Sequence, residues 1–316
     1  MFDANHLIFW ISFTVIISIM LWIDLYATDH KHGQAGLRSS LIWSGVWISV
    51  SLIFNVFIYF FLEDGHTAAI QFFSAYIIEK SLSVDNLFVF LMIFNVMGMS
   101  EKNQPHILKW GIITAIFMRV IFILAGVALM HLFHPIIYIF GLLLIYAAYK
   151  MMFGADEKID PEKSKLIQFF KKRFNLITNY HGGKFFEKID GKLFITPLFL
   201  TLLLIESSDL MFAIDSIPAV LAITDDPFVA ITSNIFAILG LRALYFVLAG
   251  IIDMFSYLKY GVGIILFYVG IKMLISDWYK IPTEYSMIFI LVILTISIVI
   301  SLIKNKKNKN VDNQSE

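Results

Sequence analysis

Nine times along its 316 residues the chain runs apolar for about as long as a helix needs to cross a bilayer. The runs fall at about 7–26, 41–62, 69–97, 107–131, 135–153, 194–222, 228–251, 259–276 and 284–303. A stretch of roughly 20 apolar residues matches the ~30 Å hydrocarbon layer at helical rise. Inside that layer only a helix or a closed barrel pairs all of its own backbone groups. The expected class is therefore an all-α polytopic membrane protein. Charged residues make up only 15% of the chain, well below the ~25% usual for soluble domains. The first run has no basic n-region before it, only Asp3, and carries Asp24 near its end, so it reads as a retained span rather than a cleaved signal.

Lys and Arg in the connections alternate by side. Eighteen fall on one face, nine of them in the segment 154–193, and one, Lys280, on the other. The positive-inside bias then places the N-terminus outside and the C-terminus in the cytoplasm; the expected location is the bacterial cytoplasmic (inner) membrane. The basic segment reads as a solvated face near anionic lipid.

Two segments repeat. "YIIEKSLSVDNLF" (76–88) aligns with "ESSDLMFAIDSIP" (206–218), placing Glu79 over Asp209 and Asp85 over Asp215. Arg119 aligns with Arg242 in the next run. In the third, "GLLLIYAAYKMM" (141–152) aligns with "GIILFYVGIKML" (263–274), with Lys150 over Lys272. Three spans per copy invert the second copy, the arrangement of many transporters, whose substrate sites lie near the midplane between the halves. The expected layout is two N-terminal helices (1–66), a first three-helix repeat (67–153), a basic cytoplasmic loop (154–193), a second repeat (194–278), a last helix (279–304) and a cytoplasmic tail (305–316).

Both copies place charge where hydration is poorest. A carboxylate or cation at a helix centre costs roughly 2.5–3.5 kcal/mol on insertion scales, several times what one Leu contributes. The acids are Glu79, Asp85, Glu206, Asp209 and Asp215, accompanied by Asn86; the cations are Lys80, Arg119 and Arg242. If each arginine neutralises one acid and Lys80 turns toward an interface, negative charge remains in surplus. A divalent cation satisfies that surplus, and so does a proton relay. The chain has no cysteine, and none of its eight histidines falls mid-span. An oxygen-only site suits Mn²⁺, Mg²⁺ or Ca²⁺, with Ser207, Ser208 and Ser216 as further donors. Met211 beside them reads as packing first and as a soft ligand second.

Helical geometry leaves two arrangements open. Glu206 and Asp209 share a face, but Asp215 lies about 120° round and roughly 9 Å along, as Asp85 does from Glu79. Either Pro218, which removes the hydrogen bond to Ile214, unwinds the sixth span and gathers the acids, or two stations succeed one another along a path. Arg119 and Arg242 serve as structural locks or as gates.

At "EKSLSVDNLFVF" (79–90) and "ESSDLMFAIDSIPAV" (206–220) the chain resembles the TerC family of integral membrane proteins, in its Alx-type, manganese-exporting branch. The resemblance spans most of the chain and implies acidic metal-pathway residues at Glu79, Asp85, Glu206, Asp209 and Asp215. It also implies Mn²⁺ as the transported ion and export as the direction, in a family associated with tellurite resistance. The expected partners are Mn²⁺ or another hard divalent cation, protons and membrane lipids, with no nucleic acid and no bound cofactor. No nucleophile-and-base arrangement, HExxH or phosphate loop is present, so an enzyme is not expected. The alternative is a non-transporting scaffold that recruits a stress or secretion complex through 154–193.

Overall fold

The computed structural model describes residues 4–27, 37–133, 135–153, 168, 175–176, 183–189, 192–251, 258–279 and 281–312. The side chains of Asp85, Met211 and Asp215 are among those outside the description, although their backbones lie in helices.

Every apolar run forms helix over most of its length. α1 (Ala4–Trp22) ends in a π-helical turn, Ile23–Ala27. α2 (Leu37–Phe61), α3 (Gly65–Val96), α4 (Gln104–Leu132) and α5 (Ile136–Phe153) follow. Three short strands come next, β1 (Asn175–Leu176), β2 (Phe186–Ile189) and β3 (Lys192–Ile195). They form one sheet in the order β1-β3-β2, with β3 parallel to β1 and antiparallel to β2. α6 (Pro197–Leu221), α7 (Pro227–Ile238), α8 (Leu241–Ile251), α9 (Leu258–Leu274) and α10 (Thr283–Asp312) complete the order.

Five of these helices are long and apolar enough to cross a membrane, and a sixth span results if α7 and α8 are taken together. The chain is thus a helical protein embedded in a membrane. α3 and α6 also have the length of a span and carry the interior charges. The outer surface is apolar, as a lipid-facing surface must be: Ile53, Phe60, Phe117 and Leu142 are all at least 60% exposed.

Two expectations are corrected. The start of the sixth apolar run is strand rather than helix, because residues 194–195 pair with both β1 and β2 before Pro197 opens α6. Of the two arrangements left open, unwinding at Pro218 does not occur: α6 continues through it to Leu221, giving up the one bond to the Ile214 carbonyl without losing its course. The break lies in the seventh run instead. α7 and α8 meet at 41° across Leu239 and Gly240, with Gly240 at φ +77°. A Cβ there would lie 2.5 Å from the Trp47 ring, so both the backbone angle and the contact demand glycine.

α7 is the centre of the molecule. Every residue from Phe228 to Ile238 is buried, the pattern of a helix enclosed on all sides. Its start is set by Pro227 in the first turn and by Asp226, whose carboxylate accepts the Phe228 N–H at 2.7 Å. An aromatic cluster fastens it: Phe236 lies 4.6 Å from Phe54 of α2, 6.0 Å from Phe72 of α3 and 6.1 Å from Phe13 of α1, centroid to centroid. α5 and α9 pack closely along each other, with Gly141 against Gly270 and Gly263 beside Ala148 and Met152.

Candidate functional site

Four helices bring polar side chains together in the interior. Glu79 of α3 is fully buried and ion-paired with Arg119 of α4, itself 1% exposed. A second branch of the same guanidinium reaches Asp209 of α6 at 3.4 Å, and Nη1 donates to Asn234 Oδ1 of α7 at 3.4 Å. Arg119 therefore ties α3, α6 and α7 to α4. A planar fork of donors suits such bridging, which a lysine point charge would not reproduce. The pairing departs from the expected one acid per arginine, because Arg119 takes an acid from α3 and another from α6.

Glu206, one turn before Asp209, completes the group. Neither of its carboxylate oxygens accepts a hydrogen bond among the described residues. The nearby Thr114 hydroxyl donates to Trp110 O at 3.0 Å instead. Glu206 faces Gly111 of α4, where a Cβ would lie 3.7 Å from Oε1. With Asp209 it lines a cavity of ≈ 20 Å³ whose walls include Leu87, Phe90, Leu108 and Ile238. That is room for about one water-sized particle. Three carboxylates thus share a low-dielectric region with one guanidinium. Asn86 is buried on α3. Among the described residues no three His, Asp or Glu side chains are disposed to hold a metal ion. The expected ligands Asp85 and Asp215 sit on α3 and α6, but their side chains lie outside the description.

The other cations are placed differently from expectation. Lys80 does not turn to an interface. Its Nζ donates to Ala237 O at 3.0 Å and Leu239 O at 3.1 Å, the carbonyls freed where α7 ends. A cation there satisfies orphan acceptors and opposes the negative end of the helix dipole. Arg242, just past the break, pairs with Asp24: Nη1 donates to Asp24 O at 3.0 Å and lies 3.9 Å from Oδ2. Trp47 Nε1 donates to Asp24 Oδ1 at 3.1 Å. Asp24, 1% exposed, is the charged residue that reading for mid-span acids passes over. Its signal is the same, a carboxylate inside an apolar run, but its place near the end of that run suggests solvation. Asn234 is the other omission, since a neutral amide in an apolar helix carries little pattern.

A polytopic helical protein with carboxylates and arginines interlocked in its apolar interior is an integral membrane protein whose buried arginines are paired with acids. The profile of the family described as "Integral membrane protein TerC family" matches residues 64–309, and the chain belongs to that family. A Myxococcus xanthus protein named "Uncharacterized membrane protein STKORF319" is 42% identical over 94% of this chain and 92% of its own length. Proteins named "Putative membrane-bound redox modulator Alx" are 40% identical: that of Photorhabdus laumondii covers 96% of this chain and 97% of its own length, and that of Escherichia coli K12 covers 92% and 93%. No solved structure matches the chain.

Proposed function

We propose that the chain exports a divalent metal cation, Mn²⁺ foremost, from the cytoplasm by alternating access around the acids of α3 and α6. The observation that carries this reading is Glu206: its buried carboxylate oxygens accept no hydrogen bond among the described residues, one turn from an arginine-held Asp209 and beside a cavity of ≈ 20 Å³. Leaving such a group unpaired in the membrane is expensive, and a passing cation or proton compensates it. Asp85, Asn86 and Asp215 on the same helices supply the remaining oxygens in this scheme, and the all-oxygen donor set suits Mn²⁺. Protons compete for the same acids, which would couple export to pH.

Packing supports two inverted three-helix repeats. In the alignment Gly141 corresponds to Gly263 and Ala148 to Gly270. Gly141 touches Gly270 while Gly263 touches Ala148, the reciprocal contact of a pseudo-two-fold axis. α3 likewise packs on α7 and α4 on α6, the first helix of each copy against the second of the other. In this reading the basic 154–193 segment faces the cytoplasm of an inner-membrane protein whose N-terminus is outside. The name given to the Alx relatives fits an indirect role: without a cysteine, this chain would influence redox state through the ion it moves.

Cells expressing the wild type should hold less Mn²⁺ than cells expressing Glu206→Gln at equal membrane abundance. Equal metal content in both, with neither differing from cells lacking the chain, would remove the reading. A scaffold role predicts the reverse sensitivity, with loss on deleting 154–193 and tolerance of Glu206→Gln.

A further inference from the structure

A second, larger cavity lies away from the acids. It measures ≈ 210 Å³ and is lined by Leu25, Tyr26, Pro105, His106, Lys109 and Arg242. We propose that it binds a phosphate group, carried by an anionic lipid headgroup or free in solution.

Among the described residues the walls carry two fixed cations, one imidazole and no carboxylate side chain. The acid nearest to Arg242, Asp24, is occupied with Arg242 Nη1 and Trp47. Arg242 is 1% exposed, fixed at the inner wall by its pairing with Asp24. Lys109 is positioned by its ammonium lying 4.0 Å over the Tyr26 ring. His106 is positioned by stacking on Phe185, ring centroids 4.9 Å apart, which also brings the start of β2 to this end of α4.

Size and place agree with a phosphate. At about 30 Å³ per water the space equals some seven waters, enough for a tetrahedral oxyanion and part of its shell. Five of the six lining residues come from the ends of two apolar spans, Phe9–Tyr26 and Gln104–Leu132, and Arg242 from the start of α8. Lipid phosphates lie at that depth, and basic pockets between transmembrane helices recognise them. Leu25 and Pro105 offer an apolar flank to a glycerol or acyl stem. A chamber lined with cations repels a dication, so this site is distinct from the export path and does not rest on it.

The test uses the full chain in nanodiscs of phosphatidylcholine alone or with phosphatidylglycerol. Native mass spectrometry counts retained phosphatidylglycerol, and calorimetry in the phosphatidylcholine discs measures inorganic phosphate binding. Lys109→Gln and His106→Gln lie outside the acid cluster, and melting curves check that each folds. Selective retention of phosphatidylglycerol, reduced about fivefold by Lys109→Gln, assigns the lipid headgroup. Phosphate binding with the same sensitivity but no lipid selectivity assigns the free anion. If Lys109→Gln does not fold, His106→Gln is read in the same way. Absence of both kinds of binding, or binding unchanged in the folded variants, overturns the proposal.

Discussion

Arg119 and Glu206 make opposite demands on the same interior. Arg119 holds Glu79 and Asp209, so Arg119→Gln leaves two buried carboxylates without their cation. Breaking a buried pair in this way costs about 3–5 kcal/mol, and the variant should melt well below the wild type in detergent. Restoring balance with Glu79→Gln in the same chain should recover part of that loss. Glu206 has no such partner among the described residues. Glu206→Gln removes an uncompensated charge at nearly constant shape, so its melting temperature should equal or exceed that of the wild type while Mn²⁺ extrusion falls to background. A variant that loses stability and transport together would make Glu206 a structural residue. The acids themselves were legible in the sequence, because a carboxylate inside an apolar run is costly enough to imply a use. Their partners were not: which acid Arg119 reaches depends on helix rotation, and a linear pattern fixes rotation only where one face is polar.

At the level of the element, the informative feature is the break between α7 and α8. Proline at 218 was the sequence signal for a broken helix, yet α6 passes through it, and the interruption occurs at Gly240. A glycine in an apolar helix is common enough to be read as packing. What identifies this one is the positive φ and the Trp47 ring against it, both of which are tertiary. Gly240→Ala should therefore destabilise by at least the ~1–3 kcal/mol of a strained backbone, measured by thermal melting. Shortening the neighbour with Trp47→Ala would remove the clash but not the angle, so the double variant should recover only in part. Lys80→Met leaves Ala237 O and Leu239 O without their donor. It should cost about 1–3 kcal/mol and increase hydrogen exchange at the carboxyl end of α7.

For the molecule as a whole, class and helix positions were readable because lipid imposes one rule on every segment. The small sheet β1–β3 was not, since strands of two to four residues in a basic loop carry no usable alternation. Insertion topology can be checked directly: a reporter active only outside the cytoplasm should work when fused after Asp225 and stay silent when fused after Phe153. The contact of α5 with α9 belongs to this scale as well. Gly141→Leu would push against Gly270 O and Leu274, where even a Cβ sits at 3.0 Å. It should separate the two helices and lower the melting temperature more than Gly45→Leu, which has no neighbour within 4 Å.

Glu79 and Lys80 are adjacent in α3, about 100° apart around its axis, and each is fastened to a different part of the surroundings. α3 is in that respect a shaft carrying two cams. Any roll that disengages the first from the guanidinium drags the second off the bend, so neither coupling can slip while the other stays in register.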